Sequence, residues 1–166
     1  MRVAHGAWRS LVARVLWEHE AAGSNPAAPT AMELERAREF MRANHHGVLA
    51  NRRQGGIQQS PVLVTIDGEG RAIISSRETA YKVRNLRRDP WTQLCVFTDR
   101  FFGEWIWAEG TAEIISLPDA MEPLIDYYKR FPGENPDWDE YRERMRQERR
   151  VLVRITLERA GPDRQG

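Results

Sequence analysis

The residues best suited to chemistry are concentrated in one stretch, Ile73-Ile74-Ser75-Ser76-Arg77-Glu78-Thr79-Ala80-Tyr81-Lys82-Val83-Arg84-Asn85-Leu86-Arg87-Arg88-Asp89-Pro90. It reads as the end of a strand, a hydroxyl-rich turn and a short basic helix. Thr79 is the expected N-cap, Ala80, Val83 and Leu86 form an apolar stripe at helical spacing, and Pro90 stops the helix at Asp89. A helix N-terminus with unpaired N–H groups, the hydroxyls of Ser75, Ser76 and Thr79, and Lys82 and Arg84 in the first turns would suit a phosphate. The same spacing also describes a solvated basic helix, and periodicity alone leaves both readings open.

Other chemistries find little support. His5 and His19 lie in an N-terminal segment unlike the rest. His45 and His46 are adjacent, which in a strand sends them to opposite faces and in a helix about 100° apart, so neither arrangement makes a metal pair. No Gly-x-Ser-x-Gly elbow and no Walker A sequence occur, and Gly68-Glu69-Gly70 is too short for a dinucleotide fingerprint. Cys95 is expected as a small buried hydrophobe in a strand, and Asp67, Glu69 and Asp99 as turn formers. Glu109 is read as a solvent-facing strand residue or an ion-pair partner. No catalytic acid, base, nucleophile or metal site is expected, which fits an enzyme whose cofactor carries the hydride and equally fits a binding module.

The elements that must position this stretch follow from pattern. Leu34, Ala37, Phe40 and Met41 mark an amphipathic helix through about Asn44, and Thr30 with Glu33 has the spacing of a capping box. Val48–Arg52, Ile57–Ile66 and Arg71–Ser75 are three strands joined by Arg53-Gln54-Gly55-Gly56 and Asp67-Gly68-Glu69-Gly70. After the basic helix come strands at Thr92–Thr98 and Glu104–Ile115, the second with Trp105 and Trp107 on one face and Ile106 on the other, and Phe101 and Phe102 in the turn between them. Met121, Leu124, Ile125 and Tyr128 then recur at helical spacing, with Pro123 in the first turn. Asp137 and Glu140 start another helix that turns Trp138, Tyr141 and Met145 inward, and Arg150–Leu157 closes the domain as a strand.

About six antiparallel strands with peripheral helices predict a mainly β fold, a small closed or half-closed barrel. The chain of 166 residues supports one domain, expected over 32–160 with a polar tail at 161–166. Residues 1–31 end in Ala-Ala-Gly-Ser-Asn-Pro-Ala-Ala-Pro-Thr, a linker by composition, and are expected to be a disordered extension or to lie upstream of the true start. The codons GGT TCG AAT CCN, which encode Gly23-Ser24-Asn25-Pro26, also spell a transfer-RNA T-arm consensus, so the working protein is expected to begin near Met32. Peptides from residues 1–31 found abundantly in the native protein would remove that expectation.

Lysine and arginine (25) nearly balance aspartate and glutamate (24), leaving a net charge of +1 and no global field for nucleic acid or a membrane surface. The single cysteine excludes an intrachain disulfide framework. With no membrane-spanning apolar run and no signal-peptide pattern, a soluble cytoplasmic protein is expected.

The order Gly47-Val48-Leu49-Ala50, a glycine turn, Gln58-Gln59-Ser60-Pro61-Val62, Ser75 through Lys82-Val83-Arg84-Asn85-Leu86-Arg87-Arg88-Asp89-Pro90, and Ala108-Glu109-Gly110-Thr111-Ala112 resembles the pyridoxamine 5′-phosphate oxidase-like split β-barrel superfamily. More narrowly, it is similar to the actinobacterial branch that uses the deazaflavin coenzyme F-420. Asp137-Trp138-Asp139-Glu140-Tyr141-Arg142 and Arg149-Arg150-Val151-Leu152 extend the resemblance to roughly residues 33–157.

The resemblance implies an FMN-binding-type, Greek-key split barrel and a homodimer with two cofactor sites in grooves at the interface. By the same resemblance, Lys82 binds the cofactor phosphate, with Ser75, Ser76 and Thr79 as hydroxyl partners. Gln58, Gln59, Ser60, Pro61 and Val62 run beside the deazaflavin ring through backbone amides. Relatives carry a second basic residue where Ala80 stands, a role open to Arg77 or Arg84. The aromatics Phe101, Phe102, Trp105 and Trp107 fall where relatives line the pocket or the interface. The implied activity is hydride transfer from reduced coenzyme F-420 to a small conjugated substrate. An FMN-dependent oxidoreductase and a non-catalytic flavin carrier are the alternatives.

Overall fold

The computed structural model describes residues 31–100 and 103–161, with side chains from Leu34 onward. The extension before Ala31, Thr30 of the expected capping box, Phe101 and Phe102, and the tail from residue 162 lie outside the described residues. The elements are α1 (Ala31–Ala43), β1 (His46–Arg53), β2 (Gly56–Leu63), β3 (Thr65–Ile66), β4 (Ala72–Arg77), α2 (Tyr81–Arg88), β5 (Trp91–Phe97), β6 (Trp105–Ile115), α3 (Met121–Lys129), α4 (Trp138–Gln147) and β7 (Arg150–Gly161). All pairings are antiparallel, in the order β2-β1-β5-β6-β7-β4-β3.

The run expected as one strand from Ile57 to Ile66 is two. Its alternating exposure through Leu63 gives way to three consecutive buried residues, Val64, Thr65 and Ile66, where the chain leaves β1 and joins β4. The last strand extends beyond Leu157 to Gly161, because β6 is long enough to pair with it there.

Side chains alternate across the pleat, so each row of register partners shares a face. Leu49, Leu94, Ala108, Ile74, Val153 and Ile155 fill the interior of the curled sheet, and Met41 of α1 with Val83 and Leu86 of α2 packs against them. An isolated helix of eight residues is unstable in water. Burial of Val83 and Leu86, at about 1.5–3 kcal/mol each, therefore holds α2 in place.

A second apolar cluster lies on the outer face of β4 and β7, where Ile73 and Leu152 meet Leu124, Ile125 and Tyr127 of α3 and Tyr141 and Met145 of α4. The expected inward Tyr128 is instead exposed, edge-on to Trp138 and Tyr141, and the buried tyrosine is Tyr127. The reason is position along the sheet: the hydroxyl of Tyr127 donates to the Leu63 carbonyl at 2.9 Å, where β2 and β4 approach without pairing. Pro123 falls in the first turn of α3, as its missing N–H requires.

Asp137 caps α4, accepting from the N–H groups of Asp139 (2.8 Å) and Glu140 (3.1 Å). Asp137→Ala should cost about 1 kcal/mol and lower the melting temperature by about 2–4 °C. An unchanged thermal transition would show that α4 is held by Tyr141 and Met145 alone.

Candidate functional site

The short α2 begins differently from its sequence pattern. Ala80, not Thr79, is the N-cap, with extended dihedrals (φ −64°, ψ 140°) and no side-chain hydrogen bond. Thr79 is exposed, and its carbonyl accepts from Arg84 Nη2 at 3.0 Å. The Arg84 guanidinium also stacks over Tyr81, 4.7 Å from the ring centre, so Arg84 closes back on its own turn.

The two serines divide between faces. Ser76 is buried toward the barrel interior, whereas Ser75 shares the outer face with its β7 partner Leu152 and with the Arg77–Arg150 pair. The Ser76 hydroxyl therefore does not join that of Ser75.

Lys82, in the first turn of α2, is half-buried, and its ammonium has no carboxylate within ion-pair distance among the described residues. Burial pushes its pKa down, and the nearby Arg150 guanidinium adds to the effect. The arginines around it are mostly compensated. Arg150 pairs with Glu148 at 2.7 Å and Arg87 with Glu78 at 3.2 Å, while Arg149 also meets Glu78. A partly desolvated ammonium beside another cation is an arrangement that an anion stabilises. Lys82 is therefore the candidate anion ligand of this region, with Ser75 and Arg150 on one face of β4 and β7.

The second part of the site is the unpaired edge of β2, one of the two edge strands of the sheet. Gln59 and Pro61 face outward with Ile57 and Leu63, while Gln58, Ser60 and Val62 face inward. These side chains cannot all line one ring, so the strand's contribution must come mainly from its backbone. Pro61 has no N–H to lose, and strand prolines sit with nitrogen toward the free edge. Leu63, of the same parity, directs its carbonyl away from β1 to Tyr127. By alternation, Ile57 and Gln59 also turn their N–H and C=O groups to the free edge.

Gln58 is held from inside. Asn85 of α2 donates through Nδ2 to Gln58 Oε1 (2.8 Å) and Asn51 Oδ1 (3.0 Å), and Arg88 donates to Asn85 Oδ1 (3.3 Å). This network ties the basic helix to β1 and β2, fixing the anion site relative to the strand edge. For Asn85 the sequence carries one weak signal, a polar residue on the apolar-stripe side of a short helix, and for Asn51, a polar residue within β1, it carries none. Tyr127 and Arg150 carried none that spacing could separate from core and surface.

Three further expectations change or gain detail. Cys95 is not a core residue: Leu94 and Val96 point inward, and Cys95 lies half-buried on the outer face, its thiol pKa raised by burial. Glu109 is an ion-pair partner, 2.9 Å from Arg159. Trp105 and Trp107 share the outer face, Trp105 exposed, with Ile106 buried opposite. No cluster of three or more potential metal ligands occurs among the described residues, and no described helix is long and apolar enough to cross a membrane.

A curled antiparallel sheet with one open edge beside a cationic helix start defines the split-barrel class. The sequence pattern of the family described as pyridoxamine 5′-phosphate oxidase matches residues 34–161, and the chain belongs to this family. Its fold is that of the flavin-binding split-barrel oxidoreductases. Similar solved structures include a conserved hypothetical protein from Mycobacterium tuberculosis (TM-score 0.64, 23% identity, 82% of this chain and 88% of that chain). An F-420 reductase is also similar (TM-score 0.55, 20% identity, 75% and 94% covered), as is a FAD-binding protein from Mesorhizobium loti (TM-score 0.50, 16% identity, 81% and 92% covered).

Proposed function

We propose that this chain is a deazaflavin-dependent oxidoreductase, a homodimer that uses coenzyme F-420 to reduce a small conjugated electrophile. The observation that carries the reading is Lys82, a half-buried ammonium without a carboxylate partner among the described residues, on the helix that Asn85 ties to the edge strand β2. The ordered sequence motifs and the likeness to an F-420 reductase favour the deazaflavin. The likeness to a FAD-binding protein supports FMN in the same groove as the second reading.

When bound, the reduced deazaflavin supplies the hydride. Lys82 and Arg150 would hold the phosphate, Ser75 would supply a hydroxyl to it, and the edge-facing N–H and C=O groups of Ile57 and Gln59 would be available to the polar edge of the ring. Asn85 holds α2 against β1 and β2, which would fix the phosphate-binding residues relative to the strand edge. The outer face of β2, β1, β5 and β6, with exposed Ile57, Leu63, Phe97 and Trp105, is covered by no described helix and is the surface assigned to the second copy.

The test is titration of the purified protein with coenzyme F-420 and with FMN, followed by tryptophan quenching, with mass measured by light scattering. Saturation by F-420 on a dimer, and oxidation of the reduced cofactor by a conjugated ketone, are expected. Saturation by FMN alone would replace the deazaflavin reading, a monomer would remove the shared groove, and binding without turnover would leave a carrier.

The depressed Lys82 pKa sets the pH dependence. The ammonium is charged below its pKa, so phosphate affinity is full at neutral pH and is lost as pH rises through a value below the ordinary lysine pKa of about 10.4. Cofactor affinity should therefore fall as pH rises, before the ordinary lysine range is reached, whereas Lys82→Arg, with a guanidinium that does not titrate there, should bind evenly over the same rise. A flat wild-type profile would argue against the Lys82 contact.

A further inference from the structure

Arg88, Asn85, Gln58 and Asn51 form a chain of side-chain hydrogen bonds whose directions are all set from one end. A guanidinium can only donate, so the bond from Arg88 Nη2 at 3.3 Å makes the facing atom of Asn85 its oxygen. The other end of that amide is then Nδ2, which donates to Gln58 Oε1 at 2.8 Å and to Asn51 Oδ1 at 3.0 Å. Both acceptors therefore turn their own NH2 groups away from Asn85.

The two NH2 groups meet different surroundings. Asn51 is fully buried, and its Nδ2 has no acceptor. Gln58 is partly exposed on the edge strand β2; its Nε2 also has no acceptor among the described residues, but it is not buried. Gln58 Nε2 is thus a donor of fixed direction that a ligand can reach. Its place relative to Lys82 follows from α2. Asn85 stands three residues after Lys82, and side chains three apart on a helix are neighbours, about 5–6 Å between Cβ atoms. Gln58, bonded to Asn85, therefore lies within about one helical turn of the ammonium. Its side chain faces inward, opposite to the outer face assigned to the second copy.

We propose that Gln58 Nε2 hydrogen-bonds an uncharged oxygen of the cofactor, in the polyol or ring beyond the phosphate, and that Arg88, acting through Asn85, keeps the amide turned as a donor. The inference rests on the reading of Lys82 as the phosphate ligand. It adds a side chain to a strand whose contribution otherwise comes from its backbone. The direction of the amide carries the specificity: rotated by 180°, Gln58 would set Oε1 against the ligand oxygen, and two acceptors would face each other. Asn85 and Arg88 are positioning residues that act through Gln58.

The test pairs each phosphorylated cofactor with its phosphate-free form, coenzyme F-420 with its deazaflavin ribitol core and FMN with riboflavin, and reads dissociation constants by tryptophan quenching. Gln58→Met should weaken phosphorylated and phosphate-free forms alike, about tenfold, whereas Lys82→Ala should weaken only the phosphorylated ones. No loss in Gln58→Met, a loss confined to the phosphorylated forms, or phosphate-free forms that do not bind the wild type at all would overturn the assignment. Asn85→Asp tests the direction. A carboxylate only accepts, so it keeps Arg88 and turns both neighbouring amides round, presenting Gln58 Oε1 to the ligand. Cooperative melting should be retained while affinity for riboflavin or the deazaflavin core falls about as far as in Gln58→Met, and the two losses should not add in the double variant. Unchanged affinity, or additive losses, would overturn the relay. If Asn85→Asp does not fold, Arg88→Ala makes the same test: it frees the amides to rotate, so it should weaken binding in the wild-type background and not in the Gln58→Met background, and equal losses in both would overturn the relay. Binding of FMN and riboflavin without F-420 would count against the deazaflavin reading alone, because either pair serves the comparison.

Discussion

Lys82→Ala should bind the phosphate-bearing cofactor about 1.5–3 kcal/mol more weakly, on the order of 10- to 100-fold in dissociation constant. The magnitude comes from a charge-assisted contact in a partly desolvated setting, where the lysine has no competing carboxylate among the described residues. Neighbouring Arg150 will not replace it fully, because its guanidinium is engaged by Glu148. The fold should survive the substitution: the ammonium is disfavoured by burial in the free protein, so its removal relieves a cost. A titration in which Lys82→Ala matches the wild type would return Lys82 to a solvated helix face. Arg87→Ala is the matched control, since that side chain is occupied by Glu78 and Ser116 and should leave affinity nearly unchanged.

Gly110→Ala should be the most destabilising of the simple substitutions considered. Gly110 sits at the irregularity between Glu109 and Gly110 where β6 shifts register against β7. A Cβ there would stand 1.9 Å from the Thr156 carbonyl oxygen, 2.9 Å from its carbon and 3.2 Å from the Leu157 Cα. All three are backbone atoms of a paired strand, so no rotamer change relieves the overlap. The expected cost is about 3 kcal/mol or more, a fall in melting temperature of roughly 6–12 °C. Gly68→Ala, in an open turn with nothing within 4 Å of the added carbon, should be close to neutral. A Gly110→Ala protein melting within about 2 °C of the wild type would mean that the bulge can relax by strand movement.

The motif around Gly110 shows how a residue can be legible without its reason. Ala108-Glu109-Gly110-Thr111-Ala112 reads as a strand with a glycine in it; only the pairing shows that the glycine admits a carbonyl of the next strand. Asp137 is the contrary case, since capping involves N–H groups two and three residues away, and the structure realises the expected bonds. Thr79 fails for a related local reason: the chain turns one residue later than the hydroxyl pattern suggests, and α2 is positioned by Val83 and Leu86 rather than by its cap.

By itself, the sequence determined a small antiparallel barrel, with its split form implied by a family resemblance, most strand and helix positions, the place of Lys82 at a helix start and the alternation that sets Trp105 and Trp107 on one face. These rest on periodicity, turn chemistry and the order of short motifs, all carried by residues close together in the chain. Tertiary structure alone decided that Ser75 and Ser76 part to opposite faces, that Tyr127 rather than Tyr128 joins β2 to the second core, and that Arg150 stands beside Lys82. It also set Asn85 against Gln58 and His46 against Asp99, 27 and 53 residues apart in sequence. The physical reason is that sheet register and curl choose these neighbours, and register is settled by the summed burial of whole strands rather than by any single residue.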